Sequence, residues 1–424
     1  MAAVPSTAMP NSAVPKPAVP KPAVPKPAVP KPAVLKLRSV PMNLPEPPMQ
    51  FYVVKGAPDA CGRGCDSWIA IEGKIDSTAA ARFRKFLAVV RGRNLPLYFY
   101  SPGGSVEQAL AMGAMLREKP VVARVGRTIV SECGFEAQNG EACIKLKQSG
   151  RELHGDVLTR GAFCGSACPY LMLGAPTREV AADAELAVHS ARVTVSFHGP
   201  EVPPAEMIAA ANANAYQRSD HMIAAYLAKM GADPALLALI RTVKFEQMHI
   251  LTREEIARFG IDRREFVETP WTYEVGTRAM VHKVALQRRD GEKTFRTTQW
   301  RVICLDTDHF ELDFLRPSTP VSVLSSVSIS SGGAPILLFH TQAKLSDFEV
   351  WGTLMHKAFI QSFSAASQTE LAETLPAMDG HKIRLTQMLS TDGFADALNR
   401  LVATCPAPKA QQRQTVEAHD HAAK

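Results

Sequence analysis

The stretch LPLYFYSPGGSVEQALAMGAMLREKPVVARV, Leu95 to Val125, decides the fold class of this chain. Leu97–Tyr100 is an apolar run of strand length, and Ser101-Pro-Gly-Gly104 turns the backbone sharply after it. A helix is predicted from Ser105 to Glu118 and a second strand at Val121–Val125. Strand, helix and strand joined by short links argue an α/β class with a mostly parallel sheet. Upstream the alternation continues, with a strand around Trp68–Glu72 and a helix over Ser77–Arg91. Downstream, residues 126–163 interrupt it with glycines, polar residues and two cysteines, and read as an inserted loop region. A helix after CGSAC and a strand Glu185–His189 resume the pattern, and residues 204–230 are alanine-rich and helical. Thr252-Arg-Glu-Glu255 is a capping box that opens another helix, ended by Gly260.

The character changes after Trp271. Met280–Arg288, Asp290-Gly291 and Thr294–Leu305 read as a hairpin with a DG turn, and Val321–Ser330 and Ile336–Thr341 are further strand-like runs. A capped helix at Ser390–Ala403 leads to Cys405. The expected organisation is a disordered Pro/Lys-rich spacer over 1–50, an α/β domain over 51–270, a smaller β-rich domain over 271–405 and a disordered tail over 406–424. Within the spacer, residues 14–33 are four copies of VPKPA. Proline fixes φ and removes amide donors, so this segment is expected to be extended polyproline II, roughly 60 Å long at ~3.1 Å per residue. A stiff charged spacer of this kind suits an exported or envelope-associated protein.

The formal charge of +7 is concentrated in that spacer: Lys16, Lys21, Lys26, Lys31, Lys36 and Arg38 all precede the first acid, Glu46. The remainder is near neutral and carries no basic stripe interleaved with aromatics, which argues against nucleic acid as a partner. Eight cysteines are present, none at zinc-finger spacing, and they read as disulfides of an oxidising compartment, with about a hundred connectivities open. Buried reduced cysteines are the alternative. Cys61 with Cys65 is expected to close a small loop, and Cys304 with Cys405 to staple the second domain's sheet to its terminal helix. No run reaches the about 18 apolar residues of a membrane span. Prolines also break the N-terminal apolar residues too often for a secretory signal, so a periplasmic location would need export information further upstream.

Three features carry chemistry. The glycines of Ser101-Pro-Gly-Gly104 let backbone amides face a ligand oxygen, although Pro-Gly-Gly is also an ordinary turn. Gly165-Ser166-Ala167 places small residues around a serine at a helix start, where negative charge is favoured; the same serine would serve as a helix cap. Ala184–His189 ends a strand on a histidine, the usual proton acceptor for a serine hydroxyl, though a strand-end histidine is often only a surface residue.

Taken in order, SPGG, VEQALAMGAMLRE, the serine turn, ELAVHS and LTREEIARFGID resemble the Clp protease proteolytic subunit and its relatives in the crotonase-like superfamily. The resemblance covers Trp68 to Asp262, under half of the chain. It is closer still to an extracytoplasmic branch whose serine sits in a Cys-x-Ser-Ala-Cys turn. It implies a serine peptidase with Ser166 as nucleophile, His189 as general base and the amides of Gly104 and Ala167 as oxyanion donors. Peptide or protein substrates and homo-oligomers are implied with it, and nothing calls for a metal or organic cofactor.

The sequence departs from the family where an aspartate is expected, because that position falls on Met248, which cannot orient an imidazolium. Asp183, Asp220, Glu246 and Asp262 are the carboxylates that remain, and the sequence does not choose among them. The inserted region with Cys133 and Cys143 is expected to form a lid or reshape a substrate groove, and Cys164 and Cys168 to brace the serine turn, each paired locally or to the inserted loop. Two function classes stay open: a serine hydrolase using a Ser–His dyad or incomplete triad, and a catalytically eroded binding or scaffold protein of the cell envelope. A Ser–Lys dyad would need Lys119 or Lys145 beside Ser166, and acyl-CoA chemistry would not need the Ser166–His189 pair.

Overall fold

The run Leu97–Tyr100 lies inside a seven-stranded sheet, flanked on each side by parallel neighbours. The computed structural model of the protein describes residues 37–39, 47–197, 202–275, 278–288, 291–318, 325–345, 347–376 and 382–406. The VPKPA repeats and the tail beyond Pro406 lie outside the described residues. From Lys36 onward the chain belongs to one compact unit.

In chain order the first elements are β1 (Leu37–Ser39), β2 (Gln50–Lys55), β3 (Ser67–Glu72), α1 (Ala79–Val89), β4 (Leu97–Tyr100), α2 (Val106–Leu116) and β5 (Val122–Val125). They are followed by β6 (Arg127–Val130), α3 (Glu141–Lys147), β7 (Leu153–Leu158), β8 (Phe163–Gly165), α4 (Cys168–Leu173), β9 (Thr177–Glu179) and β10 (Glu185–Val188). Next come α5 (Ala205–Lys229), α6 (Ala235–Thr242), β11 (Gln247–Ile250) and α7 (Arg253–Arg258). The main sheet runs β6-β7-β2-β3-β4-β5-β9. Four of its pairings are parallel, β2–β7, β3–β4, β4–β5 and β5–β9, while β2–β3 and β6–β7 are antiparallel. A small sheet, β1-β11-β10-β8, stands beside it, and a single backbone bridge between Ser101 and Cys164 joins the two.

The core beneath these sheets is built from Phe83, Phe99, Met112, Leu116 and Leu171, all fully buried. Each such side chain is worth about 1.5–3 kcal/mol removed from water. Helices α2 and α4 touch at Gly113 and Gly174, where a Cβ on Gly174 would run into the Gly113 backbone. The capping box at Thr252 is complete, with Glu255 N donating to Thr252 Oγ1 and Thr252 N donating to Glu255 Oε2.

Residues 126–163, expected as a loop, instead hold β6, α3 and β7. β7 pairs with β2, and β6 with β7, so the region widens the sheet, and Val130, Cys133 and Cys143 also pack against Tyr52, Trp68 and Tyr98 on one of its faces. The polar residues of this region do not mark a loop, because one of them is structural. Buried Lys147 donates to Glu72 Oε2 at 3.0 Å and to the Gln138 carbonyl at 2.9 Å. The same carboxylate accepts the Tyr52 hydroxyl at 2.6 Å and the Thr128 amide at 2.7 Å.

The second half forms a ten-stranded antiparallel sheet. Its strands are β12 (Phe266–Glu268), β13 (Thr272–Val275), β14 (Ala279–Gln287), β15 (Arg296–Cys304), β16 (His309–Pro317), β17 (Ser326–Ser330), β18 (Ile336–Leu345), β19 (Phe348–His356), β20 (Gln368–Pro376) and β21 (Lys382–Ser390). Two helices, α8 (Lys357–Ala365) and α9 (Phe394–Ala403), pack Phe363, Phe394, Leu398 and Leu401 onto a core that includes Trp300, Phe314 and Trp351. The expected hairpin is β14–β15, with Gln287 opposite Arg296; Asp290 of its turn lies outside the described residues. The helix expected from Ser390 starts at Phe394, because Ser390 still pairs with Gln368 as the end of β21.

All eight cysteines are paired: Cys61–Cys65, Cys133–Cys143, Cys164–Cys168 and Cys304–Cys405. Four disulfides are consistent with an extracytoplasmic location. No helix among the described residues is long and apolar enough to cross a membrane.

Candidate functional site

Ser166 links the end of β8 to the start of α4 with φ of +59°. Among the described residues only it and Asp59 hold a positive φ without being glycine. The left-handed region costs a residue with a Cβ about 1–2 kcal/mol, and it persists only where neighbours over-determine it. Here Gly165 N donates to the Ser101 carbonyl and Ser166 N to the Ala187 carbonyl, each at 3.0 Å. Cys164 and Cys168 close a disulfide across the turn. The serine hydroxyl is thereby lifted off the strand and left partly exposed.

His189 follows β10 directly, and β10 runs parallel to β8 with Ala187 opposite Gly165. Its Nε2 lies 2.7 Å from Ser166 Oγ. Its Nδ1 lies 2.7 Å from the Phe245 carbonyl oxygen. A carbonyl can only accept, so Nδ1 carries the hydrogen and the neutral ring presents Nε2 as acceptor to the serine O–H. The imidazole also packs on the Phe245 ring at 5.1 Å between centroids, and the Arg192 guanidinium sits over that ring at 4.3 Å. Burial pushes the His189 pKa below its ordinary value, while the Phe245 carbonyl and the Glu246 charge oppose the shift.

None of the four carboxylates left open by the sequence hydrogen-bonds His189. Glu246 pairs with Arg192 at 3.2 Å and Asp220 with Arg241 at 2.7 Å. Asp262 accepts from Val180 N, Arg253 and Arg264 at 2.9, 3.0 and 2.7 Å. Burial raises its pKa, but the hydrogen bonds and charges of Arg264 and Arg253 outweigh burial and hold it well below the carboxylate range. Burial raises the Asp183 carboxyl. Met248 is buried with its sulfur 3.1 Å from where a Cβ on Gly165 would sit, so it packs beneath the serine turn. The exposed Lys145 pairs with Glu141 at 2.7 Å on α3.

The SPGG turn meets the serine turn at its first glycine. A Cβ on Gly103 would stand 2.5 Å from Ser166 Cβ and 2.8 Å from Ala167 N, and φ there is +98°. The Gly103 carbonyl accepts from Ile75 N at 2.8 Å. In a trans peptide the next N–H points the opposite way, so the Gly104 amide is aimed away from Ile75. Among the described residues neither Gly104 N nor Ala167 N donates to a backbone carbonyl. A separate cleft of about 530 Å³, bordered by Tyr98, Arg124, Glu179, Tyr273 and Asp392, is lined by neither Ser166 nor His189.

Together these groups provide a hydroxyl, a proton acceptor in the correct tautomer and two uncommitted amides within one small region. The Phe245 carbonyl was not foreseen from the sequence. Every residue has such an oxygen, so no residue type marks it.

No family model matches the chain, and no curated protein sequence does. Among solved structures, invasion associated protein B from Bartonella henselae is similar over 32% of this chain and 96% of its own, at 17% identity and a TM-score of 0.26. A mutant of the 1510-N membrane-bound stomatin-specific protease, in complex with a substrate peptide, matches 46% of this chain and 71% of its own, at 17% identity and a TM-score of 0.27. A point mutant of ClpP1 from Listeria monocytogenes matches 46% of this chain and 87% of its own, at 16% identity and a TM-score of 0.28. At TM-scores this low the likenesses carry no argument, and the chemistry of the site has to be argued from its own geometry.

Proposed function

We propose that the protein is a serine hydrolase acting on peptide or protein substrates. The reading rests on one observation, the hydrogen-bonded chain from Ser166 Oγ to His189 Nε2 and from Nδ1 to the Phe245 carbonyl. Ser166 attacks a substrate carbonyl and passes its proton to His189 Nε2, while the Gly104 and Ala167 amides receive the developing oxyanion. The imidazolium returns the proton to the leaving amine as the acyl-enzyme forms. A water molecule then repeats the sequence, with His189 again taking the proton and Ser166 leaving as the free hydroxyl. Acyl transfer is what the geometry supports; the peptide class comes from the sequence resemblance.

The Phe245 carbonyl fixes the histidine tautomer, which is one of the two tasks a buried aspartate performs. It does not supply the negative charge that stabilises the imidazolium, so turnover slower than that of a full triad is expected. Labelling with a fluorophosphonate is the direct test. Stoichiometric modification of Ser166 is expected, lost in Ser166→Ala and strongly slowed in His189→Gln. A folded wild-type protein with all four disulfides closed that stays unlabelled would overturn the reading.

A further inference from the structure

We infer that the Cys164–Cys168 disulfide is the positioning element for Ser166: it holds the serine in its left-handed conformation, with Oγ against His189 Nε2, and so makes the nucleophile depend on an oxidised bridge. The inference rests on the hydrolase reading above and adds to it a condition on the state of one bond.

The two sides of the serine turn are anchored by different means: backbone hydrogen bonds on the β8 side, and on the α4 side packing of six buried residues, with the Tyr170 carbonyl accepting the Tyr226 hydroxyl at 2.7 Å. On the β8 side, Cys164 lies opposite Leu186 of β10 and in a backbone bridge with Ser101, and the amides of Gly165 and Ser166 are both bonded to neighbouring strands. On the α4 side, among the described residues, no backbone hydrogen bond ties Ala167 or Cys168 to a sheet. α4 is only six residues long and has no side-chain cap. Ser166 thus joins a strand held by backbone bonds to a short helix held chiefly by packing, in a conformation that a residue with a Cβ disfavours. The disulfide spans that pivot, joining Cα atoms 5.3 Å apart, within the range an unforced bridge occupies. Both cysteines are wholly buried, so solvent reductants reach the bridge only when the turn opens.

Opening the bridge lets φ of Ser166 relax to the ordinary α or β region and carries Oγ away from Nε2. A dithiol reductant would open it by delivering two electrons and two protons, leaving two thiols here and one oxidised dithiol. The reactive arrangement then becomes the minority state. A loss of about 10- to 100-fold in Ser166 reactivity corresponds to roughly 1.4–2.7 kcal/mol at 1.36 kcal/mol per tenfold.

The test compares three full-length proteins: wild type, Cys164→Ala/Cys168→Ala and the control Cys61→Ala/Cys65→Ala. The control removes a bridge of the same sequence separation that does not touch the serine turn. Fluorophosphonate labelling of Ser166 and the ¹³C shifts of Ser166 are both recorded, the latter because they report φ whether or not the serine reacts. The expected result is labelling about 10- to 100-fold slower and a loss of the left-handed shift in the Cys164/Cys168 variant, with both kept in the control. Labelling and shifts that match wild type in a folded Cys164/Cys168 variant would overturn the inference. If that variant does not fold, wild type is titrated with a dithiol while mass spectrometry counts which bridge has opened. Loss of the Ser166 shift must then follow the opening of Cys164–Cys168, and loss without it, or opening without loss, refutes the inference. An oxidised wild type that shows the left-handed shift but never labels counts against the hydrolase reading alone, because the shift arm still decides the role of the bridge.

Discussion

Replacing Ser166 by glycine or by alanine should give opposite answers to those at an ordinary position. Both variants lack the hydroxyl, so the comparison isolates the backbone. Alanine keeps a Cβ and must still bear the left-handed conformation at φ of +59°, at about 1–2 kcal/mol. Glycine carries no such cost but makes the unfolded chain freer, which elsewhere destabilises by roughly 0.5–1 kcal/mol relative to alanine. Within the ring closed by Cys164 and Cys168 the unfolded chain is already restricted, so this second effect is smaller than usual. The balance favours Ser166→Gly over Ser166→Ala by about 0.5–1.5 kcal/mol. At about 2–4 °C per kcal/mol for a domain of this size, the glycine variant should melt about 1–6 °C higher. Thermal unfolding of both variants with disulfides intact measures the difference. Equal melting points, or a lower one for glycine, would refute the claim that this position is held in the left-handed region.

Labelling of Ser166 should rise with pH and level off at a midpoint below the ordinary histidine value of about 6.5, because burial depresses the His189 pKa and only the neutral ring accepts the proton. The sign for stability follows: the unfolded chain takes up the proton first, so His189 costs stability as pH falls from its unfolded pKa towards its lower folded one. A labelling midpoint above 7 would contradict this. Met248→Asp should not accelerate labelling, since the side chain packs against Gly165 and Nδ1 is already bonded, and it should lower stability by upwards of about 2 kcal/mol; denaturation and labelling rates together check it. Gly103→Ala should slow labelling by about a hundredfold in a folded protein, because its Cβ would press on Ser166 and Ala167. Lys147→Met should cost about 3–5 kcal/mol in a urea midpoint by stranding Glu72, with part of the loss recovered in Lys147→Met/Glu72→Gln.

The parallel core of the fold was legible because its strands are continuous apolar runs, as at Leu97–Tyr100, and its helices begin at readable caps such as Thr252. The region around β6 and β7 was not, since LHGDVL and RTIV are short, sit among glycines and charges, and owe their place to Lys147 and Glu72 meeting 75 residues apart. In the second half, the run Val321–Ser330 was legible as strand, and β17 lies within it, alternating serines with the buried Val327 and Ile329. At the candidate site, the sequence singled out Ser166 and His189 because side-chain type carries their chemistry, and the SPGG turn because paired glycines mark a backbone free to turn its amides outward. It could not show that Ser166 has a positive φ, which follows from how β8 and α4 are tied together.

Among the described residues no carboxylate orients His189, and the fold shows why none is needed for that task. Orienting His189 requires an acceptor at Nδ1, and a main-chain oxygen meets that requirement without a carboxylate. Phe245 lies two residues before β11, and β11 pairs with β10 at Ala187↔Ile250 and Val188↔His249, immediately before His189. One antiparallel ladder therefore carries the histidine at the end of one strand and leads from the carbonyl into the other. Sheet register sets the distance between them, and the side chains at 245 and 248 are released from that task. Position 248 is then free to be chosen for packing, and methionine fills the space under Gly165. What is given up is charge: an imidazolium facing a carbonyl is less stabilised than one facing a carboxylate, and at His189 burial depresses the pKa while the Phe245 carbonyl opposes that shift without reversing it. In the hydrolase proposed above, this arrangement would favour a neutral base at the expense of the transition state in which that base is protonated.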